Sequence, residues 1–255
     1  MTTIRTSRRS IATDTLLVAA RELKPMASDP FSLVVGLVQP LFFLLLFGPL
    51  LNAEGGPSWS WFVPGVLVMI ALFGTAGAGS NLQMDLVSGT HERLLVTPLA
   101  RPALFLGKSL KEFTPLTAQA LVIILVMLPF GFRPSPAGAL IGLLLLGILG
   151  LGIGSLSYAL ALAVREQDWL FWTVHQTLLF PLMILSGMLL PLDAAPQWMR
   201  ALATANPLTH VVNAERDLFA GQLATTNVGW GFAAALLTAA IGALVGIRSL
   251  NRSTT

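Results

Sequence analysis

Two short motifs near the middle of the chain are similar to sites that carry out chemistry, and both are incomplete. The stretch GKS at 107–109 looks like the end of a phosphate-binding loop, but the first glycine of that loop would fall at Pro102, and no strand precedes it. The pair HE at 91–92 begins like the helix of a zinc protease, but the second histidine would fall at Leu95. We therefore expect no catalytic residue, no metal site and no cofactor in this chain, and no enzymatic activity of its own.

Composition indicates an integral membrane protein. Hydrophobic residues make up 55% of the chain and charged residues 11%, whereas soluble domains carry about 25% charged residues. The sequence pI near 10 would suggest nucleic acid in a soluble protein, but here the basic residues flank apolar runs and indicate membrane topology. The absence of cysteine excludes disulfides and cysteine-ligated metals.

The apolar runs predict an all-α fold with six transmembrane helices in a single domain, residues 1–255. A span needs roughly 20 mostly apolar residues, and continuous runs without alternation favour helices over a barrel. The predicted spans are 31–51, 61–80, 113–132, 137–164, 170–190 and 228–247. They leave an N-terminal segment (1–30), a long connector (84–112) and a second long segment (191–227).

The distribution of Lys and Arg predicts that both termini are cytoplasmic, in a multi-pass protein of the plasma membrane. Five of these residues lie in the N-terminal segment, four in the connector, one in the turn 165–169 and two at the C-terminus, which makes twelve on one side. The segments on the other side hold three. Cytoplasmic loops carry the excess of Lys and Arg. Tryptophans near the span ends are typical interfacial anchors: Trp59, Trp61, Trp169, Trp172 and Trp230.

Residues 11–23 of the N-terminal segment have an amphipathic helical pattern. Such a helix can lie along the lipid headgroups with its arginines facing phosphate. A plain positive-inside tether explains the same residues equally well.

The segment 191–227 predicts two short external helices that re-enter the membrane before the last span. Pro196 suits the first turn of one helix, whose apolar stripe is Trp198, Met199 and Leu202. Asn206 followed by Pro207 is an N-cap and first-turn pair, and Gly221 suits the end of the second helix. These helices either close an external gate, with Asn206, Pro207 and His210 as candidate residues, or form a packed cap.

Few polar residues lie inside the predicted spans or at their ends, and five of them are candidates for a substrate pathway. They are Gln39, Asn81, His175, Gln176 and Ser186. Structural hydrogen bonding is the alternative role for each. Three Gly-x-x-x-Gly pairs begin at Gly138, Gly150 and Gly242; they indicate close helix packing or arise by chance in a chain with 23 glycines.

Three stretches of the chain resemble the permease subunits of ABC-2 type exporters, in particular the daunorubicin-resistance type of multidrug-efflux permease. They are RELKPMASDPFSLVVGLVQPLFFLLLFGPLL near the N-terminus, GTHERLLVTPLARPALFLGK in the connector and SGMLLPLDAAPQWMRALATANPLTHVVNAERDLF before the last span. The resemblance covers nearly the whole chain. Two departures stand out: His210 where the family often has Tyr, and Asn213 where it often has Asp.

The resemblance implies a permease dimer, of identical or related copies, with two separate ATP-binding subunits that carry ATP and magnesium. The connector would then be a cytoplasmic coupling helix that inserts into a cleft of the ATPase. Its contact residues would be Gly89, Glu92, Arg93, Leu94, Leu95, Thr97, Pro98 and Arg101. Leucines can fill an apolar pocket while charged neighbours orient the contact at its rim.

The function expected from these features is ATP-driven export of amphiphilic drugs or antibiotics. Highly charged cargo would be costly to pass among so few interior polar groups. The same architecture also suits export of a lipid-linked glycan, a lipid or a sodium ion. A stand-alone secondary transporter or intramembrane enzyme is the remote alternative, since no acidic residue was expected at mid-membrane depth. No partnership with nucleic acid is expected.

Overall fold

The computed structural model describes residues 11–27, 30–52, 58–87, 107, 110–164, 167–193 and 195–252. These residues form helices and no strand, which confirms the predicted all-α fold. The helices are α1 (Ile11–Ala27), α2 (Pro30–Asn52), α3 (Trp59–Ala76), α4 (Ala78–Val87), α5 (Phe113–Met127), α6 (Pro136–Val164), α7 (Asp168–Leu185), α8 (Gln197–Ala205), α9 (Pro207–Phe219) and α10 (Thr226–Arg252). A short 3₁₀ turn, Leu128–Phe130, extends α5.

Four helical stretches of the described chain are long and apolar enough to cross a membrane. They are Trp59–Met84, Phe113–Phe130, Pro136–Val164 and Thr226–Ser249, and each coincides with a predicted span. The remaining two predicted spans are also helical, as α2 and α7, but are not among these four stretches. The count of six spans therefore stays a prediction.

The helix α7 ends five residues before the predicted span 170–190 does. The Ser186 hydroxyl donates to the Met183 carbonyl at 2.6 Å, and the Met188 N–H donates to the same hydroxyl at 3.2 Å. Gly187 then has φ +69°, a left-handed conformation that glycine adopts without steric cost. These features turn the chain out of the helix, so the predicted boundary at Leu190 is wrong.

The second predicted span is broken in two at Gly77, between α3 and α4. The break frees backbone groups, and Ser157 of α6 satisfies two of them. Its hydroxyl donates to the Ala76 carbonyl and accepts from the Gly79 N–H, the latter at 2.9 Å. Breaks in apolar helices are tolerated where neighbouring Ser or Thr side chains satisfy the freed groups.

Glycines of α6 bring four other helices close to it, which places α6 at the centre of the described bundle. A Cβ on Gly138 would overlap the Leu218 carbonyl of α9, and one on Gly147 would overlap the Phe113 ring of α5. Gly152 meets the backbone of α10, and Gly150 and Gly154 face Thr75 of α3. Five of the six glycines in the Gly-x-x-x-Gly pairs, all except Gly246, therefore lie at contacts with neighbouring helices.

Large apolar side chains cover the outer faces of α2 and α10. On α2 they include Phe31, Val34, Val38, Phe42 and Leu45, and on α10 Leu236, Leu237, Ile241 and Leu244, all exposed. Contiguous exposed apolar surface of this kind marks contact with lipid or with another protein. These faces suit a helix bundle that lies in a membrane.

The N-terminal segment forms a helix from Ile11, as its pattern predicts. Val18 and Ala19 are buried, while Leu16 and Leu17 on the neighbouring face are exposed. The buried face meets the end of the connector, because a Cβ on Gly107 would contact the Val18 side chain at 2.6 Å. The helix α1 is therefore held against the residues that precede α5.

Candidate functional site

The helices α8 and α9 form a hairpin whose turn lies beside α7. The Asn206 Oδ1 accepts from the Leu208 N–H at 3.0 Å, so Asn206 caps α9 and Pro207 follows at the first position, as predicted. The Asn206 amide also donates to the Leu182 carbonyl of α7 at 2.8 Å. Asn206 thus links the hairpin to α7 by a hydrogen bond.

The hairpin reaches deep into the bundle. Its helix α9 runs along α6, with Leu218 beside Gly138 and Glu215 beside Gly142. Leu208, at the other end of α9, lines the same cavity as Leu149. Because these contacts show that α9 runs antiparallel to α6, Leu208, ten residues before Leu218, lies about 15 Å along α6 from Gly138. This geometry fits the predicted re-entrant pair of helices.

The helix α9 buries an apolar stripe, whereas the stripe predicted for α8 is largely exposed. Val211, Val212 and Leu218 are fully buried in the bundle. On α8, Trp198 and Leu202 are exposed and Met199 is half-buried, so the predicted stripe is not part of the core. An exposed tryptophan beside leucine is typical of a surface that faces lipid or a second protein.

Arg216 of α9 joins three elements at the end of the bundle that carries Trp61. Its Nε donates to the Trp61 carbonyl at 3.1 Å, and its Nη2 donates to the Gly187 carbonyl at 2.8 Å. Its guanidinium also lies 3.8 Å from the centre of the Trp61 ring, close enough for a cation–π contact. We call this set of contacts the Arg216 clamp. The sequence-based reasoning did not identify it.

Glu215, next to Arg216, was also missed, and it is fully buried. Its carboxyl faces Gly142 of α6, and neither oxygen has a hydrogen-bond partner among the residues that the structure describes. Burial raises the pKa of this carboxyl to about 8, because desolvation disfavours its charged form. Glu215 lies in the segment 191–227, outside the predicted spans to which the expectation about acidic residues applies. The missed signal was position: Glu215 lies on the apolar stripe between Val212 and Leu218.

His210, the third candidate gate residue, lies on the half-exposed face of α9. Its Nε2 is 3.0 Å from the Thr204 carbonyl, and its ring lies 6.1 Å from the Trp230 ring of α10. His210 therefore links the two arms of the hairpin and lies beside the last helix.

A cavity of about 740 Å³ lies between α7 and α10, and α6 forms part of its wall. We call it the α7–α10 cavity. Its lining includes Leu149 of α6, His175, Leu178 and Leu182 of α7, Leu208 of α9 and Arg248 of α10. The described part of the chain also holds a smaller cavity of about 150 Å³ between α2, α3 and α5, lined by Gln39 and Gln119.

The structure does not bring the five candidate pathway residues together. His175 is buried in the wall of the α7–α10 cavity, whereas Gln39 lines the smaller one. Asn81 and Gln176 are exposed on α4 and α7, and Ser186 is buried in the turn that ends α7. Among the predicted gate residues, Pro207 shares the α7–α10 cavity with His175.

The predicted coupling residues, Gly89 to Arg101, lie outside the described residues. The connector becomes visible again at Gly107 and from Leu110 onward. There, Lys111 and Glu112 are buried, and the Tyr158 hydroxyl of α6 donates to Glu112 Oε1 at 3.3 Å. The Lys111 ammonium lies 4.0 Å from the same oxygen. This cluster fixes the end of the connector to α6.

Comparison with known proteins identifies the family. Residues 13–220 match the family model of the ABC-2 type transporter. The chain is 26% identical over 231 residues to the daunorubicin resistance ABC transporter permease protein DrrB1 of Streptomyces coeruleorubidus, across 88% of this chain and 81% of that protein. It is 31% identical over 217 residues to a protein of Cyanophora paradoxa named as a transport permease, ycf38, across 81% and 72% of the two chains. An Escherichia coli K12 protein named as a multidrug ABC transporter permease, YbhR, is 25% identical over 178 residues, which cover 68% of this chain and 47% of YbhR. The chain therefore belongs to the ABC-2 type transporter family, as a membrane permease.

Proposed function

We propose that this chain is the permease subunit of an ATP-driven exporter whose ATP-binding subunits are separate polypeptides. Two permease copies, identical or related, would work with two ATPases that hold ATP and magnesium. The observation that carries the proposal is the family match over residues 13–220. The incomplete phosphate-loop motif at 107–109 supports it, because this sequence has no nucleotide cradle of its own.

The proposed coupling helix lies in the connector 84–112 and carries Glu92, Arg93, Leu94 and Leu95. Three contacts link the ends of this connector to the bundle. The helix α4, which leads into it, is joined to α6 through Ser157; α1 packs on Gly107; and Glu112 accepts from Tyr158. A displacement of the connector by an ATPase would therefore act on α1, α4 and α6 together.

The two ends of the bundle differ in a way that suits alternating access. The Arg216 clamp joins α3, α9 and the turn after α7 at one end. Toward the other end, α7 and α10 stand apart around a cavity. We assign the clamped end to the cell exterior and both termini to the cytoplasm of a plasma-membrane protein, on the distribution of Lys and Arg. Movement of the coupling helix would then open the clamped end and close the cavity.

We propose an amphiphilic drug or antibiotic as cargo, in line with the daunorubicin resistance named for DrrB1. The apolar lining of the α7–α10 cavity supports an amphiphile over a highly charged solute. We also propose six spans, which are the four stretches long and apolar enough to cross a membrane together with α2 and α7.

The decisive experiment targets the connector. Leu94→Asp would place a charge in the apolar cleft of the ATPase, and we expect it to reduce ATP-dependent efflux and ATPase co-purification at least tenfold, as loss of a buried apolar anchor does. Arg93→Glu reverses a charge at the rim and should give a smaller loss. Arg200→Glu, an exposed position on α8, is the matched control and should leave co-purification unchanged.

The chain contains no cysteine, so sidedness can be measured on single-cysteine variants in the same cells. A membrane-impermeant maleimide should label Ala224→Cys from outside and leave Gly89→Cys unlabelled. Labelling of Gly89→Cys in intact cells, or efflux by the purified permease without any ATPase, would contradict the proposal.

A further inference from the structure

The α7–α10 cavity has the size and shape of a ligand site. Its volume, about 740 Å³, lies in the range of about 300 to 1,000 Å³ typical of small-molecule sites. It is walled by helix side chains and is half open to the surroundings. An empty apolar space of this size is costly, because its lining atoms lose their dispersion contacts.

The cavity is long and has distinct ends. Leu149, Leu182 and Leu208 line it at the turn of the hairpin, and Ala163 and Arg248 line it at the opposite end. The fourteen residues from Leu149 to Ala163 of α6 span about 21 Å, somewhat more than the half-thickness of about 15 Å for the bilayer hydrocarbon. A molecule in the cavity would therefore stand along the helices, with one end near the membrane surface.

Most polar groups in the lining already have backbone partners. The hydroxyls of Ser157, Thr238 and Ser249 donate to the carbonyls of Ala76, Ala234 and Ala159. These groups offer little to a polar ligand. The body of a ligand would meet aliphatic side chains along most of the cavity.

His175 is the exception among the buried lining residues. It is 6% exposed, and neither ring nitrogen makes a hydrogen bond to any residue that the structure describes, although the Ala76 carbonyl lies near the ring. Phe171 and Trp172 flank the imidazole, with ring centres 5.7 Å and 5.4 Å away. A buried polar side chain without a partner carries a desolvation cost that a ligand atom could remove.

Arg248 supplies a full positive charge at the open end. Charge complementarity therefore favours an anionic group there, and a guanidinium binds carboxylate with charge-assisted hydrogen bonds. A cationic amphiphile in the same position would meet repulsion from this charge.

We propose that the α7–α10 cavity binds a single-chain amphiphile with an acidic headgroup, its apolar chain along α6 and its headgroup at Arg248. The proposal rests on the proposed function and deepens it, because it names the class of cargo that the permease takes from the cytoplasmic leaflet. His175 provides a second polar contact partway along the chain.

The test uses the full-length permease in nanodiscs of phosphatidylcholine, titrated with a brominated fatty acid. Bromine in the cavity should quench the fluorescence of Trp172, which borders His175, and Trp172→Phe should remove most of the quenching. The brominated alcohol and amine of equal chain length should bind at least about threefold and tenfold more weakly than the acid, respectively. Equal binding of all three would overturn the acidic class.

Paired variants locate the site. Arg248→Gln should weaken fatty-acid binding about three- to tenfold, and His175→Leu should weaken it more than its exposed neighbour Gln176→Leu. Leu178→Trp should fill the cavity and abolish binding, measured with a radiolabelled fatty acid because the added tryptophan would itself be quenched. Leu244→Trp is its control, since Leu178 and Leu244 are 58% and 56% exposed and only Leu178 lines the cavity. Unchanged binding in Leu178→Trp would overturn the proposal.

Other occupants give different results. If phosphatidylglycerol, which has two chains, displaces the fatty acid at equal concentration, the single-chain assignment is wrong. If Leu178→Trp converts a dimer to monomers by light scattering, a second copy of this chain fills the cavity and the proposal is again overturned. Failure of the binding test with normal sensitivity of efflux to Leu94→Asp would leave the proposed ATP-driven permease intact.

Discussion

The clamped end of the bundle and the α7–α10 cavity are built from the same helices but packed in opposite ways. At the clamped end, backbone meets backbone: the Met188 carbonyl lies against Gly65, and the Leu218 carbonyl lies against Gly138. Arg216 adds hydrogen bonds to two further carbonyls. At the cavity, α7 and α10 do not interlock, and leucine side chains face open volume.

The difference separates a region that resists motion from a region that permits it. Backbone contacts at glycine leave no side chain to rearrange, so separating the helices there removes many contacts at once. A cavity can instead close or fill without breaking a hydrogen bond. A permease must move both regions during transport, so most of the energy of the cycle is expected to be needed at the clamped end.

The largest effect should come from a single methyl group at the clamped end. In Gly138→Ala the new Cβ would overlap the Leu218 carbonyl, and α9 would have to move away from α6. We expect a loss of about 3 kcal/mol or more in stability. Gly229→Ala is the control, because a Cβ there meets no atom within 4 Å. Thermal unfolding in detergent, followed by tryptophan fluorescence, measures both; equal midpoints would show that the clamped end is not tightly packed.

A smaller effect is expected from the arginine of the clamp. Arg216→Gln removes the bonds to the Trp61 and Gly187 carbonyls and the contact with the Trp61 ring. We expect a loss of about 2 to 3 kcal/mol. Lysine should not restore it, since an ammonium cannot reproduce the planar fork. Arg200→Gln, on the exposed face of α8, should change the unfolding midpoint little. Rescue by lysine would indicate that charge alone matters here.

The smallest effect is expected from Glu215, a polar group at the clamped end whose carboxyl has no hydrogen-bond partner among the described residues. Burial raises the pKa of Glu215 from 4.5 to about 8, so the folded protein holds a proton that the unfolded chain releases. Stability should therefore be greatest below about pH 4.5 with respect to this group, and should fall as pH rises toward about 8.

Glu215→Gln is neutral and nearly isosteric, so it should abolish this dependence. At about pH 9 we expect the variant to be more stable than the natural protein by on the order of 2 kcal/mol, because a buried charge without a partner is removed. The matched control is Asp217→Asn; the Asp217 carboxylate already accepts from Thr225 and Asn227, so that variant should not become more stable. Unfolding midpoints across pH decide the matter, and parallel curves for the natural protein and Glu215→Gln would contradict the assignment.

Helix positions were predictable wherever apolar runs were long and continuous. The α6 run of Pro136–Val164 was located to within one residue, because no charged or left-handed residue interrupts it. The boundary of α7 was misplaced, since Ser186 and Gly187 end a helix through hydrogen bonds and backbone conformation that leave hydropathy unchanged. The break at Gly77 was not predicted for the same reason, because it depends on hydrogen bonds to Ser157, eighty residues away in the sequence.

The candidate site was only partly predictable. The Asn206–Pro207 cap depends on adjacent residues and was found, whereas the Arg216 clamp depends on Trp61 and Gly187, which are distant in sequence. Glu215 could have been found, because its spacing from Val211, Val212 and Leu218 places it on the buried stripe. Hydropathy alone assigns Glu215 to the surface because it is charged, and takes no account of its position in the helical repeat.

The serine bridge across the break at Gly77 has a mechanical consequence. One hydroxyl holds both sides of the interruption, so a pull that moves the ends of α3 and α4 together away from α6 must release two hydrogen bonds in the same step. The interruption is then either hydrogen-bonded to Ser157 on both sides or released on both sides, with few intermediate arrangements. The helix α4 would then move only when the applied force is large enough to break these bonds. A helix bundle can in this way convert a discrete chemical event into a discrete change of shape.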